Sequence, residues 1–70
     1  MKTIYRLRWY LEREGMIKSK WMSNRIKAEE AFRELKNVLS KGCWVSLDEY
    51  VENNEEEGFD FGMELYFTEI

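Results

Sequence analysis

The sequence predicts an α+β fold: a four-stranded antiparallel sheet in β-β-α-β-β order with one helix packed on one face. Three observations predict it. Apolar and polar residues alternate with a period of two in three stretches, over residues 3–12, 43–51 and 59–68, a stretch between the first two carries apolar residues at helical spacing, and polar, turn-forming residues divide each pair of strands. At 70 residues the chain makes one domain, and at that size only about 60% of the unfolded surface is buried. The fold must therefore use its apolar residues well. Three Trp, four Tyr and four Phe suit that need, because each large ring can bury about 150–250 Å² and a disordered chain is poor in such side chains.

The first strand is expected over residues 3–12, where Tyr5, Leu7, Trp9 and Leu11 alternate with Ile4, Arg6, Arg8, Tyr10 and Glu12. A second is expected over residues 16–22, completing a basic hairpin over 3–22. A three-residue loop of Arg13, Glu14 and Gly15, with Gly15 left-handed, would set Leu11 opposite Ile17, Trp9 opposite Ser19 and Leu7 opposite Trp21. A two-residue loop would set Trp9 opposite Lys18 and turn the apolar set to the wrong face. The three-residue loop is therefore expected.

The helix is expected over residues 24–41. Ser23 is a good N-cap, Ala28, Ala31, Phe32, Leu35, Val38 and Leu39 recur at helical spacing, and Lys41 with Gly42 forms a basic last turn followed by a C′ glycine. Glu29 and Arg33 are a favourable i,i+4 pair. An acidic hairpin over residues 43–70 follows. Cys43, Val45, Leu47 and Val51 alternate with Trp44, Ser46, Asp48 and Tyr50, and Phe59, Phe61, Met63, Leu65 and Phe67 alternate with Asp60, Gly62, Glu64, Tyr66 and Thr68. Residues 52–58 between them are polar and turn-prone.

The charge is divided along the chain. All 11 Lys and Arg lie at or before Lys41, against five acids there, and nine acids with no base follow from Gly42, so a net charge of -3 is the sum of +6 and -9. With the apolar stripes turned toward the helix, the uncovered sheet face would carry Arg6, Arg8, Lys18 and Lys20 with Tyr10 and Met22 on one hairpin. It would carry Asp48, Glu52, Asp60 and Glu64 with Trp44, Tyr50 and Tyr66 on the other. Cross-strand ion pairs account for part of this pattern. An acidic excess should remain around Glu55, Glu56, Glu57 and Asp60.

Several classes of chemistry find little support. The chain has no His, the usual general base and commonest metal ligand, and its one Cys cannot form a thiolate zinc site. Cys43 reads as a small buried hydrophobe. The acids of residues 52–60 lack the ligand spacing of an EF-hand loop. No cofactor, no metal and no catalytic residue are expected. The lone Cys, the absence of an apolar run of roughly 20 residues and an N-terminus without a signal-peptide core lead us to expect a cytoplasmic protein with no membrane partner.

The acids Asp48, Glu49, Glu52, Glu55, Glu56, Glu57 and Asp60, clustered at one end of a small chain, resemble the small early proteins with which bacteriophages disable host factors. These include DNA mimics that block nucleoid proteins, glycosylases or CRISPR nucleases. The resemblance covers residues 48–64. It implies a non-enzymatic inhibitor in the host bacterial cytoplasm, whose acidic hairpin occupies the basic nucleic-acid-binding surface of a host protein. Asp48, Glu52, Glu55, Glu56, Glu57, Asp60 and Glu64 would supply charge, and Tyr50 and Tyr66 contact area. The alternative is a small nucleic-acid-binding protein that uses Arg6, Arg8, Lys18 and Lys20 with Tyr10. A homodimer joining the basic half of one copy to the acidic half of another is compatible with either.

Overall fold

The computed structural model describes residues 2–55 and 57–70. Strands β1 (Thr3–Leu11) and β2 (Met16–Met22), helix α1 (Arg25–Val38) and strands β3 (Trp44–Asn53) and β4 (Gly58–Glu69) follow one another in the expected order. The strands make one antiparallel sheet, β2-β1-β3-β4. The two central strands carry the best alternation, and their odd-numbered residues face the helix. Tyr5, Leu7, Val45 and Leu47 form the core with Ala28 and Phe32 of α1, and Trp9, Met22, Ala31, Leu35, Leu39 and Leu65 pack against it. Cys43 is buried. Among the described residues no helix is long and apolar enough to cross a membrane.

Asn24, not Ser23, caps α1: its backbone is extended and its Oδ1 accepts from the Lys27 N–H at 3.0 Å. The helix also ends earlier than expected. Leu39 is already extended, although its N–H still donates to the Leu35 carbonyl at 2.9 Å, and residues 40–42 turn back toward β3. Val38 falls outside the covered stripe and is exposed. Arg25, not Arg33, is the partner that Glu29 takes, at 3.8 Å.

The first hairpin adopts the register that the sequence argument rejected. Leu11 pairs with Met16, Trp9 with Lys18, Leu7 with Lys20, Arg6 with Trp21 and Tyr5 with Met22, so residues 12–15 form a four-residue loop. In it the Gly15 N–H donates to the Leu11 carbonyl at 2.8 Å, and Gly15 is left-handed at φ 64°. Lys18 and Lys20 therefore lie on the helix side, and Ile17 and Trp21 lie on the open side. The width of the helix explains this. One helix, about 10–12 Å across, covers the two central strands of a sheet whose strands lie about 4.8 Å apart, and it leaves the outer strands largely uncovered. On the helix side of β2 the stems of Lys18 and Lys20 can lie along apolar surface with their charges in water. Trp21 finds better partners on the open side, and Met22 closes the core opposite Tyr5.

β4 departs from simple alternation twice. Its pairing with β3 shifts between Leu47 and Asp48 and between Glu49 and Tyr50, leaving Leu65 and Gly62 unmatched in bulges. The expected stripe is split as a result. Phe59, Phe61 and Phe67 lie across from Glu52, Tyr50 and Ser46 on the open face, whereas Met63 and Tyr66 lie across from Glu49 and Leu47 on the helix side.

Candidate functional site

The open face of the sheet holds the even-numbered residues of β1 and β3, which face away from the core. Near its centre Arg8 Nη2 donates to Asp48 Oδ2 at 3.0 Å, and Ser46 Oγ donates to Asp48 Oδ1 at 3.4 Å. Asp48 and Ser46 are buried in this arrangement, while the Arg8 side chain stays partly exposed. Two runs of rings cross the face on either side of it. Tyr10 stacks on Trp44 at 6.2 Å between centroids, and Trp44 meets Phe67 at 5.9 Å. Trp21 meets Tyr50 edge-on at 4.9 Å, and Tyr50 meets Phe61 at 5.7 Å. The Arg6 guanidinium sits 5.4 Å from the Trp21 ring centroid, within cation–π range. Ile17, Trp21, Phe61 and Phe67 are each at least half exposed.

The far end of the second hairpin is built differently. The first strand reaches only to the level of Val51, and no core residue comes from between Asp48 and Glu64. The hairpin beyond that level projects as a two-stranded arm, which contributes to a molecule of 41 × 23 × 15 Å. Its turn is held by Asn53, whose Oδ1 accepts from the Glu55 N–H at 2.9 Å and whose Nδ2 donates to Asp60 Oδ2 at 2.8 Å. Glu57 is left-handed at φ 52°. Glu55 and Glu57 are exposed at the tip, with Phe59 beside them, and Glu52 lines a shallow cleft with Lys2, Asn54 and Phe59. Among the described residues, Glu49, Glu52, Glu55, Glu57 and Glu64 form no ion pair.

The nine acids and rings expected to bind a partner are thus dispersed. Glu52, Glu55 and Glu57 gather on the arm, and Glu56 lies outside the described residues. Glu64 is exposed on the open face, where its pairing position is opposite Asp48. Asp48 itself is withdrawn into its pair with Arg8, which removes it as a contact. Tyr50 is half-buried between Trp21 and Phe61. Asp60 and Tyr66, expected on the open face, lie opposite Val51 and Leu47 on the other side, because β4 runs there in the opposite phase and only Met63 and Glu64, between the two bulges, keep the expected one. Tyr66 stacks on Phe32 at 5.4 Å, and its Oη donates to Glu29 Oε2 at 2.8 Å. That hydrogen bond, reinforced by the Glu29 charge, holds the phenol above its ordinary pKa of 10.0.

The basic cluster is corrected as well. Arg6, Arg8 and Tyr10 are on the open face, but Lys18 and Lys20 are on the opposite one, and Met22 packs toward the core. Sequence reasoning missed Ile17, Trp21, Phe61 and Phe67 as surface residues. A signal was present: Tyr10, Trp44 and Tyr50 already occupied the face assigned to solvent, which marks that face as apolar. No protein-family model, curated protein or solved structure matches the chain. Among the described residues no cluster of His, Cys, Asp and Glu is placed to hold a metal ion.

Proposed function

We propose that the chain is a non-enzymatic protein-interaction module whose projecting arm takes a basic surface, of the kind that binds nucleic acid, on a protein partner. The observation that carries this reading is the arm itself. Glu52, Glu55 and Glu57 stand on a two-stranded extension beyond the core, unpaired among the described residues, with Phe59 exposed between them. Carboxylates that form no ion pair among the described residues speed encounter with a cationic surface, and an exposed ring gives the contact apolar area to desolvate. The resemblance to small phage inhibitors points to the same partner chemistry. The basic-hairpin alternative loses support, since Lys18 and Lys20 do not share a face with Arg6 and Arg8 and the Arg8 charge is taken by Asp48.

The test is capture from bacterial lysate at low and high salt, with half of each sample treated with nuclease. A basic DNA-binding protein retained after nuclease, released by salt and lost with the Glu52→Lys, Glu55→Lys, Glu57→Lys variant is the expected result. Capture that disappears with nuclease, or capture unchanged in that variant, would overturn the reading.

A further inference from the structure

We infer that the arm does not bind alone: the ringed open face beside it meets the same partner, and that partner is a protein that holds single-stranded nucleic acid. The inference rests on the proposed function and names its partner more closely. Glu52 and Phe59, where the arm leaves the core, lie across from each other on the open side. From there the open side of β4 continues as Phe61, Glu64, Phe67 and Glu69, so rings and acids take turns along the strand. Glu52, Glu64 and Glu69 stand at the levels of residues 52, 48 and 44 of β3, each about 13 Å from the next. That interval exceeds the Debye length of roughly 8 Å at physiological salt. The three carboxylates are therefore separate contacts along a stripe of about 26 Å, and Phe59, Phe61 and Phe67 fill the gaps.

Charge and rings together select the partner. Of the two bases on the face, Arg8 is taken by Asp48 and Arg6 lies against the Trp21 ring. Glu52, Glu64 and Glu69 form no ion pair among the described residues. The face is net acidic, which disfavours both a nucleic acid and a second copy of the same face and favours a cationic surface. A protein that neutralises duplex backbone does so with Lys and Arg, and the arm's carboxylates already answer those. Single strands are held by a positive groove along the backbone together with aromatic side chains on which successive bases stack. The second kind of surface is the one that offers rings to meet these. Trp21, Phe61 and Phe67 are each at least half exposed, and contacts with Tyr50 and Trp44 hold them in place. A partner's aromatic side chains can stack on rings so preorganised at little cost in entropy. Carboxylates then stand where phosphates would, and rings where bases would.

Capture from nuclease-treated bacterial lysate tests this when the retained protein is identified, purified and challenged with an oligothymidylate or with a duplex of equal length. The expected result is a single-strand-binding protein that the oligothymidylate releases at the lower concentration. Phe61→Ser, Phe67→Ser, with unchanged far-ultraviolet circular dichroism, should raise its Kd roughly tenfold per ring, the scale of one stacked base. Ile26→Ser, which removes an exposed side chain from the helix, should bind as the wild type does. A Kd unchanged in the folded double variant overturns the inference, as does release by the duplex at the same or a lower concentration; both outcomes leave a basic partner of the arm in place. Retention of no basic protein, or retention that survives Glu52→Lys, Glu55→Lys, Glu57→Lys, removes the proposed function and the inference with it. Should the double variant fail to fold, Glu64→Lys, Glu69→Lys decides, because both side chains are exposed: weaker binding is expected, and an unchanged Kd refutes a contact at the face.

Discussion

Asp48 is the residue at which a structural role and a binding role make opposite predictions. Its side chain is 2% exposed, and its main partner is the Arg8 guanidinium at 3.0 Å, whose side chain is 36% exposed. Asp48→Ala removes the charge-assisted hydrogen bond from Arg8, worth about 1.5–3 kcal/mol, and the longer one from Ser46 at 3.4 Å. Water can reach Arg8 and replace part of what is lost, so the cost of ~2 kcal/mol sits in the lower half of that range. A chain of this length has a total stability of roughly 3.5–10 kcal/mol, so the loss is large but the variant should fold. In urea, with a slope of about 1 kcal/mol per molar, the midpoint should fall by ~2 M with little change in slope. Replacing both partners, as Arg8→Met with Asp48→Leu, should cost less than the sum of the single changes, because neither charge of the pair is then left without its counterpart. A wild-type urea midpoint in Asp48→Ala, combined with lost partner binding, would refute the argument and return Asp48 to the contact surface.

Tyr66 should ionise above 10.0 because its Oη donates to Glu29, and ultraviolet titration of the phenol in wild type and Glu29→Gln should show a higher midpoint in the former. A phenol whose pKa is raised by folding contributes stability below its unfolded pKa and loses it as the pH rises through the folded value, so this contact should matter at neutral pH and vanish in strong alkali; equal midpoints in the two proteins would dismiss it. Gly42 is left-handed at φ 97°, and a Cβ there would run into the Glu12 carboxylate. Gly42→Ala should therefore cost about 1–2 kcal/mol in a urea titration, and an unchanged or higher midpoint would contradict the backbone argument.

The element order and the central core were legible because β1, β3 and α1 each have a strong period and a face that is buried by all its neighbours. Leu7 and Leu47 could be placed inside on alternation alone, and Ala28 and Phe32 on helical spacing. Strand β2 was not legible in the same way. Its residues do not alternate, since the adjacent apolar pairs Met16–Ile17 and Trp21–Met22 flank Lys18, Ser19 and Lys20, and it lies beyond the cover of a single helix, so the pattern did not fix which face turns inward. Trp21 was assigned to the core on hydrophobicity, whereas Arg6 and Tyr50 hold it on the other side. For β4 the obstacle was the pair of bulges. Leu65 and Gly62 each reset the alternation, and nothing in the local composition marks Leu65 as unmatched. Glu52, Glu55 and Glu57 were legible as exposed acids because a polar turn between long strands has nothing to bury against.

The two candidate surfaces follow from one mismatch between a single short helix and a broad, long sheet. Helix α1 has 14 residues and rises about 21 Å, whereas β3 and β4, with 10 and 12 residues, extend about 33 and 40 Å. The excess length becomes the arm. The excess width leaves the rings of β2 and β4 uncovered, and these outer strands favour the open face, where ring partners from β3 are in reach. On the open side stand Ile17 and Trp21 of β2 with Phe61 and Phe67 of β4. That placement separates an apolar face from the acidic arm: covering the face should change Trp21 fluorescence, while binding at Glu52, Glu55 and Glu57 should respond first to salt.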